Sequence, residues 1–251
     1  MSKFNLKEVL SLSLDIGERM LKCGAEISRV EETIKYILEG YGIKYKEIFA
    51  MNSLIIATIR KEEESYTESR RIMYIDKDLK QLELLNELSR EICKKNMSRK
   101  EVLKKLDEFK ERNILMPIIG TIIATTSFTL FFGGNLKDAF ASLIIAIIIN
   151  FYNWFMKNTH INSLINSFVS SFIIGIAAIL FTKAGLADNF DKVIIGDIML
   201  LIPGLSMFIS INDIFKGDTM SGLGRFTEGL FLALVVGAGV GLSLIVLGGM
   251  L

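Results

Sequence analysis

Residues 136–156 read "LKDAFASLIIAIIINFYNWFM", a run in which charge is confined to Lys137 and Asp138 at its head. A helix rises about 1.5 Å per residue, so a run of this length reaches across a hydrocarbon core about 30 Å thick. Four more apolar runs lie near 114–132, 162–182, 193–213 and 226–250. The connectors are short and hold turn residues: "GGN", "KNTH", "KAGLADNFDK" and "KGDTMSGLG". A soluble core rarely produces five such runs in succession, so the pattern predicts a five-helix transmembrane bundle.

Charge patterning bounds the rest. The first 112 residues hold 44 of the 57 charged side chains, whereas the remaining 139 hold both prolines and 16 of the 20 glycines. This predicts an α-helical integral membrane protein with a small cytosolic α+β domain over 1–112 and a membrane domain over 113–251. A net charge of +1 with no basic stripe argues against a nucleic-acid partner. The opening "MSKFNLKEVL" lacks the apolar core of a signal peptide. Cys23 and Cys93 suggest neither a disulfide framework nor a metal cluster, which fits a reduced cytosolic setting. Lys104, Lys105, Lys110 and Arg112 precede the first run and predict a cytoplasmic flank there, with the N-terminus inside and the C-terminus outside.

Polar residues within the runs are costly in hydrocarbon and therefore informative. Thr121, Thr125 and Thr129 share one face of the first run, and Asn150 and Asn153 end the second. Ser163, Asn166, Ser167 and Ser170 fill the first half of the third, and Asn212 and Asp213 end the fourth. Any single hydroxyl can be satisfied by the carbonyl one turn back, but clustering at one depth predicts a wet cavity. Asp138 opens the second run, as a helix cap or as part of a solute or proton path. Asp197 lies deeper in the fourth and reads as functional. In "LIPGLSMF", Pro203 removes a backbone donor and Gly204 permits a bend. Asp197, Gly204 and Ile211 recur every seven residues, which puts acid and break on one face of a continuous helix. Broken spans expose backbone groups to solutes near the bilayer midplane. Gly237 to Gly241, "GAGVG", forms a small-residue face for close packing or oligomer contact.

The charged part predicts one long amphipathic helix over 5–39, closed by Gly40 and Gly42. A β-hairpin turning at Asn52–Ser53 follows, then a third strand near 65–74 and helices near 77–95 and 99–111. Ser98 and Glu101 have capping-box spacing. In "LKCGAEISRVEETI" (21–34), Glu31 points into the apolar stripe of the first helix, whereas Glu26 and Arg29 point away. The sole histidine, His160, lies in a membrane connector, so no Ser–His–Asp or Cys–His arrangement can be built in the charged domain. No phosphate-binding loop, dinucleotide fingerprint or metal-ligand spacing is present, and no enzyme, cofactor or metal is expected.

The stretches "CGAEISRVEETI" (23–34), "FFGGNLKDAF" (131–140) and "LIPGLSMFISINDIFKGDTMSGLGRFTEG" (201–229) resemble the bacterial threonine/serine exporter family over nearly the whole chain. In that family a cytosolic domain precedes a membrane bundle. Some members continue into a second membrane module, and others work with a small separate membrane protein equivalent to it. The resemblance implies the split type and a multi-span partner subunit in the plasma (inner) membrane. It implies export of threonine and serine, or of succinate. The motif residues it marks are Glu26, Arg29 and Glu31, then Gly133, Gly134 and Asp138, then Pro203, Gly204, Asn212, Asp213, Asp218 and Arg225.

Two readings follow. A half-transporter for a small polar solute, oligomeric with its partner, would use Asp138, Asn150, Asn166, Asp197, Pro203, Gly204, Asn212 and Asp213 as its pathway. Its cytosolic gate would draw on Glu26, Arg29, Glu31, Asp218 and Arg225. Glu31 is expected to pair either with Arg225 at that gate or with Arg70 or Arg71 inside the soluble domain. The alternative is a membrane-anchored regulatory or scaffold protein whose cytosolic domain binds a ligand.

Overall fold

The computed structural model describes residues 5–75, 77–95, 97–109, 115–156, 159 and 162–250. Lys110, Arg112, Lys157 and His160 lie outside these residues. The chain divides into two units, one of Met1–Glu111 with Phe208–Phe226 and the other of Arg112–Met207 with Thr227–Leu251. The described residues are mostly helical, with one three-stranded sheet.

The first unit begins with α1 (Leu6–Lys22) and α2 (Ile27–Gly40) where one continuous helix was expected. Gly24 causes the division. Its φ of +85° is a left-handed conformation that glycine adopts without steric cost. The Ala25 N–H donates to Met20 O (3.1 Å) and the Gly24 N–H to Leu21 O (3.0 Å), the paired bonds of a Schellman cap. The chain therefore reverses, and α2 packs on α1 where Gly17 leaves room for Ile34: a Cβ at Gly17 would lie 2.6 Å from the Ile34 Cδ1.

Three antiparallel strands follow in the order β1 (Tyr45–Met51), β2 (Leu54–Lys61) and β3 (Glu64–Arg71). The first turn falls at Asn52–Ser53, with Met51 opposite Leu54. Ile55, Ala57 and Ile59 alternate inward on the central strand and are fully buried. They join Leu10, Leu14, Ile34 and Ile37 of the two helices in one core. Each buried Leu or Ile side chain among them contributes about 1.5–3 kcal/mol by leaving water. Helices α3 (Leu79–Lys95) and α4 (Arg99–Glu108) complete that core with Leu85, Leu88, Ile92, Val102 and Leu106. The capping box forms: Glu101 N–H donates to Ser98 Oγ (3.4 Å) and Ser98 N–H to Glu101 Oε2 (2.7 Å).

The second unit contains α5 (Leu115–Phe131), α6 (Leu136–Met156), α7 (Ser163–Lys183) and α8 (Phe190–Ile198), with the longer part of α10 (Thr219–Leu247). Among the described residues α6, α7 and α10 are long and apolar enough to cross a membrane, and α5 is a shorter apolar helix. The fourth expected run is not a continuous helix. It ends as α8 at Ile198 and resumes as α9 (Gly204–Phe215). Pro203 lacks an N–H, and its carbonyl accepts from Met207 (3.0 Å), so it begins α9 rather than bending a longer helix. The seven-residue recurrence of Asp197, Gly204 and Ile211 therefore defines no common face.

Small residues set the close approaches of this unit. A Cβ on Gly196 of α8 would overlap Thr129 of α5, and one on Gly175 of α7 would overlap Ser243 of α10. Gly239 meets Ser171 of α7 in the same way, whereas Gly237 and Gly241 face open space. Close packing in "GAGVG" thus rests on its middle glycine.

Two predictions follow from this packing. Gly24→Ala forces a Cβ into left-handed backbone, 3.3 Å from the Lys77 Cγ, and should destabilise the first unit by about 1–2 kcal/mol in chemical denaturation. Burial pushes the Cys93 thiol up to about 11, so it holds little thiolate near neutrality. Alkylation of Cys93 in the folded protein should be slow at neutral pH and accelerate as the pH approaches about 11.

Candidate functional site

Three carboxylates are buried among apolar helices, and each is satisfied differently. Asp138, in the first turn of α6, is fully buried. Its Oδ2 accepts from the Asn135 N–H (2.9 Å) and the Asn189 Nδ2 (2.9 Å). Its Oδ1 accepts from the backbone N–H groups of Asp188 (2.8 Å) and Asn189 (2.9 Å). Four donors occupy both oxygens. The Asn135 side chain completes the arrangement by accepting from the Lys137 (2.9 Å) and Asp138 (3.0 Å) amides. The carboxylate thus caps the start of α6 and holds the chain entering α8, one of the two roles that the sequence left open for it.

Asp197, one residue before the end of α8, is 3% exposed. Ser142 of α6 donates to its Oδ1 (2.7 Å), and its Oδ2 is buried with no hydrogen-bond partner. A buried carboxylate oxygen without a donor is costly and calls for an explanation. Asp197 lines a cavity of about 270 Å³ with Thr121 and Thr125 of α5, Asn150 and Asn153 of α6, Leu200 and Leu201. Ile145, Ala146, Ile149 and Ile174 form its apolar wall, and among the described residues no basic side chain lines it.

The hydroxyl face on α5 is largely self-satisfied. Thr121, Thr125 and Thr129 donate to Pro117 O (2.8 Å), Thr121 O (3.2 Å) and Thr125 O (3.1 Å). Asn150 donates to Ala146 O (2.8 Å), and Asn166 to Asn153 Oδ1 (3.1 Å). The Asn166 Oδ1 and Ser170 Oγ are buried without partners, so α7 adds two more unsatisfied polar atoms.

The third carboxylate, Asp213 at the end of α9, is fully buried within the first unit. Its Oδ2 faces the Arg225 guanidinium (Nη1 at 3.3 Å), and its Oδ1 accepts from the Ile27 N–H (3.3 Å). Glu26 is the N-cap residue of α2 but makes no side-chain cap bond, so Asp213 caps that helix from a distant part of the chain. Arg225, 6% exposed, also donates from Nε to Asn52 Oδ1 (2.6 Å) and from Nη2 to Ala25 O (3.0 Å). Asn52 donates in turn to Ser221 O (2.8 Å), and Lys216 pairs with Glu26 (2.6 Å). The first and third motif stretches, far apart in sequence, thus meet at one ion pair.

Other residues marked by the sequence have local roles. Glu31 accepts from the Ala50 N–H (2.9 Å) of edge strand β1 and pairs with Lys35 (3.5 Å). It meets none of its expected partners. Arg225 is taken by Asp213, and Arg70 by Asp15, Glu18 and Glu68. Arg29 is exposed, and Asp218 accepts through its carbonyl at the start of α10. The Asn212 carbonyl accepts from Lys216 as α9 ends. Ser142, Asn52 and Ala25 were not singled out from sequence. Ala25 acts through its backbone, and Asn52 read only as a turn residue.

Among the described residues, three helices long and apolar enough to cross a membrane give the chain the character of a membrane protein. Residues 11–247 match the ThrE family model, described as "Putative threonine/serine exporter", and the chain belongs to that family. Comparison with curated proteins finds no match, and comparison with solved structures finds none.

The buried pair generates a prediction. Arg225→Ala leaves the Asp213 carboxylate buried without its cation and should cost about 3–5 kcal/mol in the first unit. Asp213→Asn, which keeps an acceptor for Ile27, should cost less. Unfolding of the detergent-solubilised protein, with hydrogen exchange at the start of α2, measures both.

Proposed function

We propose that the chain is one subunit of a secondary exporter that moves threonine or serine out of the cytoplasm, together with a small multi-span membrane partner. The observation that carries this reading is the buried, unpartnered Oδ2 of Asp197, a residue that lines a cavity with no basic side chain among the described residues. The ammonium of an amino acid would satisfy that oxygen, and Asn150, Asn153 and the threonines offer polar contacts to the rest of the solute. Succinate would bring two charges of the same sign as Asp197 with no cation to receive them, so a C4-dicarboxylate is the less favoured cargo.

In this reading the bundle has five crossings in the plasma (inner) membrane, with α8 and α9 forming one broken crossing and the N-terminal domain cytoplasmic. The interruption at Met199–Pro203 leaves backbone groups beside the Asp197 cavity, where a solute could meet them. The Arg225–Asp213 and Lys216–Glu26 pairs are the candidate cytosolic gate, remade as the transporter changes state.

Efflux from cells preloaded with threonine, serine or succinate tests this, with the chain expressed alone or with its small partner. Threonine or serine efflux should rise only when both are present. Asp197→Asn should lower it at least about tenfold, equivalent to ~1.4 kcal/mol, at unchanged membrane abundance. Equal efflux with Asp197→Asn would overturn the role of that carboxylate, and no rise in efflux with both chains present would favour a membrane-anchored regulatory protein.

A further inference from the structure

The first unit contains a second cavity, a cleft of about 610 Å³ that owes nothing to the Asp197 site. Asp15, Glu18, Arg19 and Lys22 line it from one face of α1, at the i, i+3, i+4, i+7 spacing that brings side chains together. Cys23, Tyr74, Asp78, Gln81 and Leu103 complete the lining.

Most of its charges are already committed. Asp15 is held by Arg70 (2.9 Å) and Arg99 (3.0 Å), and Glu18 by Lys22 (2.5 Å) and Arg70 (3.5 Å). Arg19 and Asp78 are the exceptions. Neither forms an ion pair among the described residues, and they carry opposite signs on different elements. The Asp78 Oδ1 caps α3 by accepting from the Gln81 N–H (3.0 Å), which leaves its other oxygen available. The Tyr74 ring stands 65% exposed, with the Lys22 amine 5.5 Å from its centroid.

This lining selects by charge. A dianion would find one open cation, Arg19, with the open carboxylate of Asp78 against its second charge, and a diamine would find the reverse. A ligand carrying one charge of each sign meets a partner for both. We propose that this cleft binds a free α-amino acid, its carboxylate on Arg19 and its ammonium on Asp78, with Tyr74 and Gln81 beside its side chain. The site gives the charged unit its own small-molecule ligand, distinct from any solute carried through the Asp197 cavity.

Isothermal titration of the full-length chain in detergent tests the assignment, in an Asp197→Asn background that disables the other site. The probes are individual amino acids, with putrescine and succinate as single-sign controls. At least one amino acid should bind saturably, and neither control should. Arg19→Gln and Asp78→Asn should each weaken binding at least about tenfold. Asp78→Asn keeps the helix cap, so it decides the matter if Arg19→Gln melts early. Absence of amino-acid binding, equal binding of a control, or binding indifferent to an Asp78→Asn chain that folds normally would overturn the proposal. None of these outcomes bears on efflux through Asp197, which stands or falls on its own assay.

Discussion

The buried pair of Arg225 and Asp213 is the contact on which the first unit depends. Neither charge faces water, so each must be neutralised and hydrogen-bonded within the protein. Asp213 gives one oxygen to Arg225 and the other to the first amide of α2. Arg225 also donates to Ala25 O and to Asn52 Oδ1. Residues 208–226 are thereby joined to the helix break at Gly24 and to the hairpin turn at Asn52. Each partner is polar backbone or an uncharged amide, which explains how so few side chains hold two buried charges.

The three buried carboxylates differ in how they are satisfied. Asp138 receives four donors, two on each oxygen. Asp213 has a cation and an amide. Asp197 accepts from the Ser142 hydroxyl, has the Thr125 hydroxyl beside it, and keeps its second oxygen buried without a hydrogen-bond partner. An oxygen left unsatisfied in an apolar setting is tolerated in few places, and a transport pathway is one of them. The depth of an acid in an apolar run does not reveal this distinction; the donors around it do.

Much of the local structure was readable. The turn at Asn52–Ser53, the Ser98–Glu101 box and the apolar runs follow from short-range rules. Gly24 was visible as a glycine inside a helical pattern, yet helix propensity across 5–39 outweighed it. Only the backbone reversal shows that it is a cap rather than a tolerated interruption. Glu31 was readable as an acid on an apolar stripe, but its partner was not. Its ligand is the amide of Ala50, a backbone donor on an edge strand, and no pairing of side-chain charges could have indicated it.

The sequence by itself determined the apolar runs, the hairpin and the Ser98 helix start, which rest on composition or on interactions within a few residues, and its long motif stretches carried the family. The tertiary structure alone decided which acid is a clamp, which is paired and which is left open. It also broke the fourth run into two helices and brought two distant motif stretches onto one ion pair. The physical reason is that the fate of a buried charge depends on donors from remote segments, and their arrival is a property of packing rather than of spacing.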